Sequence, residues 1–386
     1  MTPGHRAGVR ASTPAWPACL AGLAGLAGLA GLAGLAGPAG LAWLALCLNL
    51  LATAGCDQRP SVVVYVSADE QVARPILAEF ERAHGIRVVA KFDTEATKTT
   101  GLAATLRAER SRPRADVFWS SEVFMTVQLA DEGVLAEHRS PETDEWPAAF
   151  RDPTFRWFGF AARARVLVYA PDRVAQDEVP AALTDLTRSW WKGRLVMADP
   201  RFGTTRGHFG AMRAFWNSEF MPGYYEAFLE GLAENDVRSL TTGNAGVVDA
   251  VVSGEADAGL TDTDDVWVAM ARGAKLGIVY LRFDPDAHER RAGTLLIPNT
   301  VARVADGSNA ETAAKLIAFL LSPRVEQLLL ESDSHNIPLR PELQPESSRE
   351  LIEKYRVDDP LWIDYARVAE QMDRAVEQAG EALRRP

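Results

Sequence analysis

The chain has 386 residues, with 52 acidic against 41 basic side chains and a formal charge of −11. Arg6 and Arg10 are the only charged residues of the first 56, so residues 57–386 carry −13. That field, with no Lys/Arg-rich run to offset it, excludes nucleic acid as an expected partner. The length beyond residue 56 exceeds what one core serves, so two lobes are expected, and the lack of a Pro/Gly/Ser linker implies that they share strands.

The first 56 residues read as an export signal: a basic start, an apolar tract from about Ala18 to Leu51, the small residues Ala52 to Gly55, then Cys56. The AGL repeat is also long enough to cross a bilayer, and a retained anchor is the competing reading. Cys19, Cys47 and Cys56 are the only cysteines, so the exported part has none to pair and its fold excludes disulfides. TAGC resembles a lipobox, although Thr53 stands where leucine is usual. The expectation is removal of residues 1–55, lipidation of Cys56 and residence on the periplasmic or cell-surface side. A soluble secreted protein with an incidental cysteine is the bland alternative.

Beyond the leader, VVVYV (Val62 to Val66) is a β-branched run bounded by Pro60 and the polar SADE, as a buried strand requires. Ile76, Leu77, Phe80 and Ala83 recur at helical spacing until Gly85, and Pro75 places the helix start close by, so Ser67 to Gln71 form the loop and first turn. IRVVAKF (Ile86 to Phe92) follows as a strand, Thr97 to Ala108 as a helix, ADVFW (Ala115 to Trp119) as a strand and Val123 to Glu132 as a helix. Strand and helix in alternation mean a parallel α/β sheet, with ligands beyond the carboxyl ends of its strands. Strands are expected at Arg165 to Ala170 and Arg194 to Asp199, and a helix at Gly207 to Trp216. Then come a helix from Val247, a strand at Ala258–Leu260 and a helix from about Val266. Thr294 to Val304 reads as a strand pair or return strand, Ala310 to Leu321 as a helix, and the last ~40 residues as loop and helix.

Two chemistries gather at the strand-end loops. Asp69, Glu70, Glu122, Asp264 and Asp265 offer hard oxygen donors suited to Fe³⁺, Ca²⁺ or Mg²⁺, with Asp262 beside them a candidate ligand contact. Their bland reading is helix capping, which explains Asp69 and Glu70 readily but three neighbouring aspartates less so. GTTR (Gly203 to Arg206), with Ser67 and with Asn244 of TTGNAG, offers hydroxyls, helix-start N–H groups and a guanidinium, the makings of an anion cradle. The bland reading there is a turn and N-cap.

The segments VVVYVSADEQVARPILAEFERAHGI, ADVFWSSE, ADPRFGTTRGH, TTGNAGVVDAVVSGEADAGLTDTDD and LLSPRVEQLL, in that order over roughly residues 61 to 342, resemble the ferric-iron subgroup of bacterial ABC-transporter solute-binding proteins. The resemblance implies the type 2 periplasmic-binding-protein fold, an α/β two-lobed structure whose mostly parallel sheets are flanked by helices, with ligand in the interlobe cleft. It implies a discontinuous first lobe, 61–163 with 295–386, a second lobe at 164–294, and crossings near Ala161–Arg165 and Arg291–Ile297. The subgroup's iron ligands correspond here to Asp69 or Glu70, to Glu122 and to the Asp264–Asp265 pair, with carboxylates where relatives have tyrosines. Thr204, Thr205 and Arg206 correspond to its synergistic-anion loop. The implied partner is a membrane permease, the implied state monomeric, and the implied role capture of ferric iron or another hard cation with an anion.

A binding protein for a phosphonate or sugar phosphate is the alternative within the fold, and an extracytoplasmic sensor the alternative beyond transport. His84, His138, His208, His288 and His335 are scattered, and no HExxH, GxSxG or paired-cysteine motif occurs, so catalysis is not expected; a two-carboxylate hydrolase is the enzyme reading left open.

Overall fold

The computed structural model describes residues 59–93, 99–217, 221–283 and 292–384; the leader, with Cys56, lies outside them. Strand β1 (Ser61–Val66) leads into α1 (Glu70–His84), which stops at Gly85 in the left-handed region (φ 66°). β2 (Arg87–Phe92) returns parallel to β1. After α2 (Thr100–Ala108), β3 (Val117–Ser120) joins the other side of β1, again parallel, and α3 (Phe124–Asp131) follows it. These are the parallel strand–helix alternations that the hydrophobic runs predict.

β4 (Leu135–Ala136) is short, and the twelve-residue β5 (Phe158–Tyr169) then changes partners along its length. Phe158 to Ala164 pair antiparallel with β10 (Leu296–Val304), which itself pairs with β3. Arg165 to Tyr169 pair with β8 (Ala258–Asp262). The hydrogen-bonded order β2-β1-β3-β10-β5-β8-β6-β7 therefore runs through β5 into a second sheet, with β6 (Leu195–Ala198) and β7 (Arg238–Leu240) parallel to one another. β9 (Gly277–Val279) pairs with β5 off this path. Two sheets sharing β5 follow from that order, and the segment Thr294 to Val304 contains the single strand β10.

The second lobe's helices are α4 (Gly203–Trp216), α5 (Tyr224–Glu234), α6 (Gly243–Ser253) and α7 (Thr263–Ala271). α4, α6 and α7 each start three or four residues earlier than the apolar periodicity predicts. Their openings (GTT, GNA, TDD) are rich in turn formers, yet these residues also suit a first helical turn whose N–H groups need no partner within the helix. Gly203 (φ 54°) and Gly243 (φ 75°) take left-handed backbone at these starts.

α8 (Ala310–Leu320) and α9 (Pro323–Glu331) complete the first lobe's outer layer, and α10 (Arg349–Tyr355) and α11 (Tyr365–Ala382) end the chain. Val62, Val64 and Val66 pack on Phe80 of α1 and on Leu316 and Leu320 of α8; Val166 and Val168 pack on Val247 and Val251 of α6. Each such side chain contributes about 1.5–3 kcal/mol by leaving water. A third core runs from Phe118 and Phe124 through Phe209 to Val368 and Met372. α11 lies in the segment assigned by sequence to the first lobe, but it packs on α4 and α5 as well as on α3. Among the described residues no helix is long and apolar enough to cross a membrane.

Candidate ligand cleft

The strand ends of both sheets meet at a cavity of about 30 Å³, lined by Ser121 of the first lobe, Arg163 of the crossing strand, and Thr204, Thr205, Asn244, Asp262 and Asp265 of the second. A site of that size holds a single ion with little more than one or two waters. One carboxylate oxygen from each of Asp262, Asp264 and Asp265 lies within 4.8 Å of the others, the spacing of a metal-ligand set.

Two buried arginines balance this cluster. Arg163 and Arg165 lie two residues apart on β5 and so face the same side of the sheet. Arg163 Nη1 meets Asp264 Oδ2 at 2.6 Å, and Arg165 Nη1 meets Asp262 Oδ1 at 2.8 Å. Burial alone would lower the Arg163 pKa, but the carboxylates of Asp264, Asp262, Asp69 and Asp265 hold it above its ordinary value. That ordering places Asp69, from the first lobe's strand-end loop, in the same electrostatic field as the second lobe's aspartates. Neither Arg163 Nε nor Arg165 Nη2 finds an acceptor in the structure. Burial, and then the adjacent Arg165, hold His208 well below the usual imidazole range; its neutral Nδ1 accepts from Arg165 Nε at 3.3 Å.

The anion-cradle residues are knitted into this charge network. Thr204 Oγ1 donates to Asp262 Oδ2 at 2.5 Å; Asn244 Nδ2 donates to the same oxygen at 2.9 Å and to Thr204 Oγ1 at 2.7 Å. Thr205 Oγ1 donates to Asn244 Oδ1 at 3.2 Å. Asp262 is thereby held by Thr204 and Asn244 as well as by Arg165, while still lining the cavity. Ser67, fully buried, accepts from Thr99 Oγ1 at 3.2 Å and from the Ser121 N–H at 3.1 Å, bracing the loop that carries Ser121.

Three predicted site residues stand elsewhere. Glu70 is exposed on the first turn of α1 and pairs with Arg74 one turn on, so it is a helix-surface charge. Glu122 folds back beneath its own loop, where its carboxylate accepts from the N–H groups of Phe124 (2.7 Å) and Met125 (3.1 Å) and caps α3. Burial pushes its pKa up to about 7 against those N–H bonds and the charges of Arg206 and Arg163; its neighbour Ser121 is the residue that reaches the cavity. Arg206 turns from the cavity to pair with Asp373 of α11, because α4 begins at Gly203 and the helical rotation puts Thr204 and Thr205, not Arg206, on the cleft side. The guanidinium of the cleft belongs to Arg163, which the sequence reading passed over. Its signal was two arginines at alternate positions of an otherwise apolar strand.

The profile of one protein family, bacterial extracellular solute-binding protein, matches residues 62–332. The chain belongs to that family. The major ferric iron-binding protein of Neisseria meningitidis is 26% identical to this solute-binding protein over 345 residues, covering 85% of this chain and 95% of the other. Iron uptake protein A1 of Synechocystis is 24% identical over 288 residues, covering 72% and 75%. Iron-bound HitA from Pseudomonas aeruginosa shares the fold with a TM-score of 0.70 at 22% identity, over 84% of this chain and 99% of that one. The ferric binding protein of Campylobacter jejuni aligns with a TM-score of 0.70 at 22% identity, over 83% and 99%.

Proposed function

We propose that this solute-binding protein is the extracytoplasmic receptor of an ABC importer and that its cargo is ferric iron bound together with a small oxyanion. The observation that carries the reading is the cluster of Asp262, Asp264 and Asp265, two of which, Asp262 and Asp265, line a cavity of ion size in a fold shared with ferric-binding proteins. A trivalent hard cation suits three carboxylates. Arg163 then has two roles: it neutralises Asp264 while the cleft is empty, and it offers its unpartnered Nε to the anion once the metal takes that carboxylate. The lobes are those assigned from sequence, with α11 spanning both. The leader directs export, Cys56 carries a lipid anchor, the receptor acts as a monomer without catalytic chemistry, and its protein partner is a membrane permease.

Calorimetry with ferric citrate, Ca²⁺ and a phosphonate tests the proposal. One site per chain for ferric citrate is expected, weakened about ten- to a hundredfold in Asp265→Ala and by far less in Arg206→Ala. Tight phosphonate binding in the presence of a chelator would show that an organic anion is the cargo.

A further inference from the structure

The cleft arginine is held from behind at the point where the two crossing strands lose register. Pro298 of β10 faces Ala162, whereas the next residue, Asn299, faces Phe160, so Ala161 is the extra residue of a β-bulge. Ala161 takes a φ of 44°, the left-handed region that a side chain disfavours. Two buried side chains fix it there: Glu326 Oε1 accepts from the Ala161 N–H at 3.2 Å, and Asn299 Nδ2 donates to the Ala161 carbonyl at 2.9 Å.

The other end of the same amide faces the cleft. Asn299 Oδ1 accepts from Arg163 Nη2 at 3.2 Å, and Asn299 Nδ2 also donates to Asn336 Oδ1 at 2.8 Å. Asn336 in turn donates to Ser334 Oγ at 3.1 Å, which anchors the chain of bonds in the loop after α9. The Arg163 guanidinium is therefore held by Asp264 in front and Asn299 behind, while its Nε has no protein partner. Removing either support would return rotamer freedom to a long side chain.

We propose that Asn299 is the positioning residue of the cleft, locking Arg163 against Asp264 and tying that pair to the bend of the crossing strands at Ala161. Bending at the bulge shifts the Ala161 carbonyl, and the shift reaches Arg163 through one amide. Lobe movement and the placement of the cleft charge are thereby a single event. The inference rests on the proposed reading only in that Arg163 meets the cargo.

The test is a cycle of four proteins: wild type, Asn299→Ala, Arg163→Gln and the double variant, titrated with ferric citrate. Asn299→Ala is expected to lose about tenfold in affinity, and the double variant to bind no more weakly than Arg163→Gln, because Asn299 acts through that side chain. Equal losses from Asn299→Ala in both backgrounds would make it a merely structural residue and overturn the inference. A ligand-independent readout accompanies the cycle, the Arg163 side-chain N–H signal in arginine-labelled protein, expected to be single and slowly exchanging in wild type and averaged in Asn299→Ala. An unchanged signal overturns the inference even if the wild type ignores ferric citrate, an outcome that would sink the iron reading separately. Should Asn299→Ala not fold, Asn336→Ala removes the rear support more gently, and the same two outcomes apply.

Discussion

At the scale of single residues, function here depends on which side of a loop each carboxylate takes. Glu122 is the clearest case, since its carboxyl caps α3 in full burial with a pKa pushed up to about 7. A folded pKa above the unfolded value means that the group's contribution to stability is fully present below about pH 4.5 and is lost as pH rises through about 7. Glu122→Gln removes that titration. The variant is expected to gain on wild type between pH 5 and pH 8 by as much as about 3 kcal/mol, read by denaturant unfolding at the two pH values. A constant difference at both would contradict the account. Sequence alone could not place Glu122, because in a loop adjacent side chains point apart without the fixed period of a helix or strand. Asp265, by contrast, lines the cavity, and its place was legible because a strand end and a helix start bracket it. Arg163 was not weighed, although period-two spacing with Arg165 marks a charged pair on one face of a buried strand.

Among the elements, strands were the most legible and helix starts the least. Continuous Val-rich runs admit little besides buried strand, whereas the GTT and GNA openings of α4 and α6 carry turn formers that read as loop. That difference moved Arg206 off the cleft and onto α11. The contact between α3 and α4 was not legible at all, since it depends on Gly207 having no side chain: a Cβ there would lie 2.0 Å from Phe124 Cδ2. Phe124 follows the first lobe's Ser121 loop, and Gly207 follows the second lobe's GTTR start. Their contact packs the start of α4 directly against α3. Gly207→Ala is expected to cost about 1–3 kcal/mol of the closed arrangement and to weaken ferric citrate binding accordingly, measured by calorimetry beside a thermal melt. Unchanged affinity with a lowered melting temperature would confine the contact to stability.

For the molecule as a whole, β5 is the strand that pairs in both sheets, with β10 in the first and with β8 in the second, and the bulge at Ala161 gives it a defined place to bend. Hinge closure on cargo is the motion expected of that arrangement. Small-angle scattering is expected to show a smaller radius of gyration on saturation with ferric citrate, and a radius that does not change would argue against closure. The cavity lining contains no tyrosine, so the ferric complex is expected to lack the visible charge-transfer colour of iron bound by phenolate. The central claim is that carboxylates of this cleft hold a hard cation together with an anion, and native mass spectrometry with elemental analysis of protein purified from its own host tests it most directly. The account predicts one iron per chain together with a small anion, both lost in the Asp264→Ala/Asp265→Ala variant; an organic anion bound without any metal would contradict it.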